Sequence, residues 1–161
     1  MQVENLNELL VHEIKDLYDA EHQITQALPK MKKAASSSEL KKAFDEHLEQ
    51  TKNHIKRLEQ VFKILEEEAE RETCDGMEGL LTEGEDLIKE NDPSDVLDAA
   101  LIGAAQRVEH YEIASYGTAR TYAQLLEYDE AADLLQETLD EEGETNKKLT
   151  KLAEKLNPQA V

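Results

Sequence analysis

The chain has 161 residues, enough for one domain with a buried core. Charged residues make up 34% and aromatics 4%, with six Gly, three Pro and no Trp, and this mix favours an all-helical protein over a sheet. A net charge of −19, from 37 acidic and 18 basic residues, repels nucleic acid and anionic lipid and attracts cations, and its plainest use is solubility.

The two basic clusters, Lys30–Lys33 and Lys147–Lys155, carry no interleaved aromatics, so no nucleic-acid partner is expected. A single cysteine, Cys74, cannot form an intramolecular disulfide and fits a reducing cytosol. The N-terminus lacks a basic-then-apolar signal pattern, and no apolar run approaches the ~18 residues of a membrane span. The expectation is a cytoplasmic protein with no membrane partner.

The first long helix is expected over about residues 3–31, on the stripe Leu6, Leu9, Leu10, Ile14, Leu17, Ile24, Leu28 and Met31. Asn5 or Asn7 suits its cap, and Pro29 should kink or end it. A Ser-rich break at 36–38 leads to the second helix, about 39–70, with Ser38 as the expected cap and a stripe from Leu40 and Phe44 to Leu58, Phe62 and Leu65. Residues 71–93 carry Gly76, Gly79 and Gly84 and few apolar residues, which reads as a crossover containing a short helix. Asn91-Asp92-Pro93-Ser94 is the clearest stop and restart. A third long helix follows over about 94–126 and a fourth over about 129–156, stopped by Pro158.

The short first and third links make two antiparallel hairpins, and the long middle link can cross the bundle. Two hairpins joined by one crossover is the ferritin-like topology, here as one domain over 1–161.

Each apolar stripe is interrupted at mid-helix. Stepping about 100° per residue puts Glu21 inside the first stripe, His47, Thr51 and His54 inside the second, Glu112 inside the third with Glu109 at its edge, and Glu142 at the centre of the fourth. Folding each hairpin about its turn sets Glu21 opposite roughly Thr51 and Glu112 opposite roughly Gly143. The six candidates Glu21, His47, His54, Glu109, Glu112 and Glu142 therefore converge at one depth. A buried carboxylate costs several kcal/mol (order of magnitude) unless paired or metal-bound. Carboxylates and imidazoles at this density suit iron, manganese or zinc.

The plainer readings are hydrogen-bonded carboxylates at Glu21 and Glu142, core or edge histidines at His47 and His54, and a Glu109 facing a partner subunit beside Ile102, Ile113 and Tyr116. Glu13 pairs most simply with a polar group near Glu59. His12, His22 and His110 look peripheral, the five tyrosines look like packing, and Cys74 looks like a spectator. Hydrolase and phosphate-loop motifs are missing.

The stretches HEIKDLYDAEHQITQALPKM from His12, HLEQTKNHIKRLEQVF from His47, VEHYEIASYGTA from Val108 and LLQETLDEE from Leu134 resemble the bacterial YciE/YciF-type stress-response family, over nearly the whole chain. The resemblance implies a fold similar to rubrerythrins and other ferritin-like proteins, a homodimer, and a dinuclear metal site as a candidate, with no established activity or small-molecule substrate. The di-iron ligand set is incomplete. The usual pattern has a Glu on two helices and Glu-x-x-His on the other two. Here the second helix offers Thr51-x-x-His54, lacking the Glu, and the fourth Glu142-x-x-Thr145, lacking the His. Glu109-x-x-Glu112 has a spacing similar to rubrerythrin-type sites. Glu21, Glu109, Glu112, Glu142 and His54 match ligand positions, while His47 sits off the standard pattern.

Two functions are therefore expected to compete. The first is a metal-binding stress protein holding one or two ions and handling iron or peroxide redox chemistry. The second is a non-enzymatic structural or interaction dimer with a polar core. Nothing in the sequence suggests a storage cage.

Overall fold

The computed structural model describes residues 3–161. Five α-helices follow in order: α1 (Leu6–Ala34), α2 (Ser38–Ile64), α3 (Asp75–Glu90), α4 (Asp95–Leu125) and α5 (Asp129–Leu156), then a 3-10 turn at Asn157–Ala160. Among the described residues there is no strand. Asn5, Ser37 and Ser94 cap α1, α2 and α4, each side-chain oxygen accepting from the backbone N–H three residues on.

α1 packs on α2 and α4 on α5, with α1–α4 and α2–α5 closing the bundle. At one end Tyr128 donates to Asn7 (3.3 Å), and at the other Asp98 accepts from the backbone N–H groups of Ser36 and Ser37 (2.7 Å each). α1 and α4 are thus antiparallel, and α2 runs parallel to α4. The chain must therefore return the length of the bundle between them, and α3 makes most of that journey in the groove between α1 and α4.

The second helix stops at Ile64, six residues short of the expected end. Glu66 adopts φ 58, and residues 67–74 form an irregular segment beside α1, where Arg71 bonds Asp19 (2.8 Å) and Glu72 N–H reaches Lys15 O (3.4 Å). The run from Glu66 to Glu72 has good helix formers but no large apolar residue to bury, so packing overrides propensity there. α1 does not end at Pro29. It continues to Ala34 because Met31 and Ala34 are buried beyond an exposed proline, which gives up one hydrogen bond. The crossover helix is 16 residues rather than a short one, seated by Met77 and Gly84.

The covering α3 overturns a further expectation. Ile102 and Tyr116 are 1% and 0% exposed, so they form no outward strip for a partner. Ile102 belongs to the core near α3, and Tyr116 points into the bundle. Glu13 makes no side-chain hydrogen bond or ion pair with a group near Glu59 among the described residues, and Glu59 itself accepts from Tyr18 (3.2 Å). Cys74 is no spectator. Its sulfur accepts from Met77 N–H (3.4 Å) to cap α3 and lies 3.0 Å from Tyr111 Oη.

The core has two apolar halves. One holds Leu10, Ile14, Leu17, Leu58, Phe62 and Leu135, and the other Ile24, Leu28, Phe44, Leu101, Val108 and Leu149. Between them lies a polar layer.

Candidate metal centre

Each bundle helix supplies the layer at a turn where its apolar stripe is interrupted: Glu21 from α1, His47, Thr51 and His54 from α2, Glu109 and Glu112 from α4, Glu142 from α5. All are buried, and Glu21, His54, Glu112 and Glu142 are wholly so. Burial costs several kcal/mol per unpaired charge (order of magnitude), so the neighbours of each group decide whether the layer is tolerable.

The donors fall into two groups that share Glu142. His47, Glu109, Glu112 and Glu142 form one, and Glu21, His54 and Glu142 the other, with the ligand atoms of each group within 4.8 Å of one another. All six residues singled out from the sequence are brought together. Glu109 faces inward, with Oε1 3.3 Å from His47 Nε2, and not toward a partner. His110 is exposed, and His12 pairs with Glu72 at the surface (2.9 Å).

His54 lies between three acids. Its Nε2 is 2.8 Å from Glu141 Oε2, while Nδ1 is 2.9 Å from Glu142 Oε1 and 3.3 Å from Glu21 Oε1. Nδ1 does not line up as an N–H donor to either carboxylate, so these are close charge contacts. Burial opposes the imidazolium, but Glu21 and Glu142 outweigh it and push the ring up to about 11. Burial likewise opposes ionisation of Glu142, yet the imidazolium of His54 beside it holds it down at about 2. His47, buried with little compensation, is shifted down and stays neutral. Burial, then repulsion from Glu142, pushes Glu109 and Glu112 well above the ordinary carboxylate range.

Two participants were not anticipated. Tyr116 donates to Glu21 Oε1 at 2.5 Å, one helical turn after Glu112, and that spacing of four was a legible signal. Glu141 reads as surface because it precedes the core-facing Glu142. It orients His54 and is held by Arg57 through two bonds of 2.7 and 2.9 Å, with Glu137 closing the chain to solvent (2.6 Å).

The donor set fits a metal. Glu21 Oε2, Glu109 Oε2 and both oxygens of Glu112 and Glu142 find no hydrogen-bond partner among the described residues, nor do Nδ1 and Nε2 of His47 or Nδ1 of His54. Orphaned acceptors at this density, all converging, are what a cation satisfies and a hydrogen-bonded core does not. Four carboxylates also match the charge of two divalent ions. Arg57, on the same helix as His54, is spent on Glu141 and Glu137.

The model of a family described as a domain of unknown function, DUF892, matches residues 5–161. The chain is 46% identical to protein YciF of Escherichia coli strain K12 over 154 residues, 95% of this chain and 93% of that one. The crystal structure of that E. coli stress protein superposes with a TM-score of 0.91, covering 94% of this chain and 96% of the other. YcfI of Rhodopseudomonas palustris, named only as a candidate structural protein, is similar at 41% identity and a TM-score of 0.90, covering 92% and 95%. The chain belongs to the DUF892 family, the YciE/YciF-type family that its helix motifs resemble.

Proposed function

We propose that this protein is a stress-response metalloprotein that binds one or two transition-metal ions, iron, manganese or zinc, in the polar layer and handles iron or peroxide redox chemistry. The observation that carries the reading is the set of unpartnered, fully buried oxygens and nitrogens on Glu21, His47, His54, Glu109, Glu112 and Glu142. The stress-response role extends the description of the E. coli relative to this chain.

Under this reading Glu142 bridges the two donor groups. His47, Glu109 and Glu112 complete one, and Glu21 and His54 the other. A bound iron or manganese would supply one-electron chemistry, whereas zinc would supply only charge. The protein's part is to exclude water and to fix the donors. Glu141 accepts from His54 Nε2, which leaves Nδ1 directed at the carboxylates. A metal would compete with protons for Glu109 and Glu112, whose carboxyls burial pushes well above the ordinary range. A cytoplasmic setting suits a chain whose lone thiol is buried as a helix cap. Homodimerisation belongs to the proposal through the family resemblance, on a surface other than Ile102 and Tyr116, and light scattering on the purified protein tests it.

Glu142→Ala is the sharpest variant, because it removes the one residue common to both groups. Isothermal titration with Fe(II), Mn(II) and Zn(II) should show uptake in the native protein and loss in the variant. Equal uptake by both would overturn the assignment. The alternative is a structural dimer with a polar core, favoured by the ordered chain from His54 through Glu141 and Arg57 to Glu137, which is satisfied without metal. Under it Glu142→Ala changes stability alone.

A further inference from the structure

Four seams separate the bundle helices. The turns at residues 35–37 and 126–128 hold α1 to α2 and α4 to α5, and α3 covers the groove between α1 and α4. The α2–α5 seam has neither a connecting turn nor a covering helix among the described residues. Side chains alone close it, and they close it unevenly. Arg57 grips Glu141 through two bonds of 2.7 and 2.9 Å, and His54 meets the same carboxylate at 2.8 Å. One turn on, Thr145 donates to Gln50 Oε1 at 3.4 Å. The next turn holds only a 3.9 Å pair between Lys148 and Glu46, both about half exposed, before Lys155 ties Glu39 further along. An exposed ion pair that long resists opening weakly.

A cavity sits behind this loose stretch. Its lining runs from exposed Glu46 and Lys148, past Gln50 and Thr145, to buried His47 and Glu109. His47 and Glu109 are 4% and 1% exposed, yet both ring nitrogens of His47 and Oε2 of Glu109 lack a hydrogen-bond partner among the described residues. The cavity therefore joins the surface to two members of the donor set. It also offers oxygens in succession: the Glu46 carboxylate, the Gln50 carbonyl, the Thr145 hydroxyl and the Glu109 carboxylate. A divalent cation gives up hydration water only where such oxygens replace it. His54, in contrast, is 0% exposed, and its Nε2 is shut off by the Glu141–Arg57 pair.

We propose that the α2–α5 seam at Glu46, Gln50, Thr145 and Lys148 is the entry port of the polar layer, through which a divalent cation passes from solvent to His47 and Glu109. That a cation is the cargo rests on the metal-binding reading above. That solvent reaches His47 by this path does not.

The path is tested in chelator, by water saturation transfer to the ring N–H groups of isotope-labelled histidine. The His47 N–H should exchange faster than that of His54. Ala43→Leu fills the port from a half-buried position on α2 and should slow His47 by about tenfold or more, since exchange must then wait for local opening. Exchange at His47 no faster than at His54, or unchanged in the folded variant, would overturn the proposal. The cargo is tested by anaerobic stopped-flow uptake of Co(II). Ala43→Leu should slow loading and leave the final stoichiometry as in the native protein. Lys148→Glu breaks the outer tie and adds an acid at the mouth, so it should speed loading at low ionic strength. Lys147→Glu makes the same charge change on a neighbouring exposed residue that does not line the cavity, and should speed it less. Should Ala43→Leu fail to fold, this exposed pair of variants carries the test, and equal rates in the two would overturn the port. A protein that takes up no Co(II) but shows the expected His47 exchange would keep the path and remove the metal reading alone.

Discussion

Replacing Glu112 with Leu should have opposite effects on the metal-free and metal-loaded protein. Glu112 is 0% exposed, neither carboxyl oxygen has a hydrogen-bond partner among the described residues, and its neighbours Glu142, Glu21 and Glu109 are acids. As a carboxylate it is a buried polar group left unsatisfied, which costs about 1–3 kcal/mol, and only as the neutral acid can it donate to Glu21. Leucine is close in volume and has nothing to satisfy, so the metal-free variant should be more stable by about 1–3 kcal/mol. For a chain of this size that raises Tm by roughly 2–4 °C per kcal/mol. With metal bound, Glu112 is a ligand, and its loss should reduce or abolish the metal-induced rise in Tm. The assay is thermal and urea denaturation followed by circular dichroism, in chelator and then with Fe(II) or Zn(II) under anaerobic conditions. A metal-free variant less stable than native would refute the reasoning, because Glu112 would then be engaged in bonds that the structure does not contain.

Further predictions follow from the same geometry. In chelator, stability should rise as pH falls from about 9 to about 6.5, level off below that as the depressed His47 and His22 oppose the raised Glu109 and Glu112, and drop below about 4. The raised His54 pKa adds stability as pH falls from about 11 to its unfolded value near 6.5. The raised Glu109 and Glu112 groups add more down to the ordinary carboxylate range, and the depressed Asp19 and Glu142 lose theirs below it. Metal affinity should run the other way and weaken on acidification, measurable by titration at pH 8 and pH 6. Asp98→Ala strips the carboxylate from Ser36 and Ser37 N–H and should cost about 1.5–3 kcal/mol in urea denaturation. Gly79→Ala and Gly76→Ala, both in α3, should differ. A Cβ at Gly79 meets nothing within 4 Å and should stabilise by about 0.5–1 kcal/mol, whereas at Gly76 it would lie 2.7 Å from Tyr111 Cε2 and erode that gain or reverse it.

The four bundle helices and the six inward donors were readable because a helix has a fixed angular step. Once Leu17 and Ile24 face the core, Glu21 must face it too, and Glu142 follows from Leu135 and Leu149. The caps of α1 and α2 were readable to within one position for a similar local reason, whereas Cys74 as the cap of α3 was not. The end of α2 was not, since residues 66–72 keep helical propensity and only the absence of something to pack against ends the helix. The extent of α3 and its seat over α4 were also illegible, and with them the burial of Ile102. Glu141 was hidden because its partners, His54 and Arg57, lie on another helix some eighty residues away, and no spacing within α5 marks it.

The most direct test of the central claim is elemental analysis of the purified, untagged protein before and after anaerobic ferrous loading, alongside Glu142→Ala. A metal centre built on these donors should hold one or two metal ions tightly per chain and lose them in the variant. A protein that retains no metal under any loading would contradict that claim, leaving a helical scaffold whose polar layer serves structure alone.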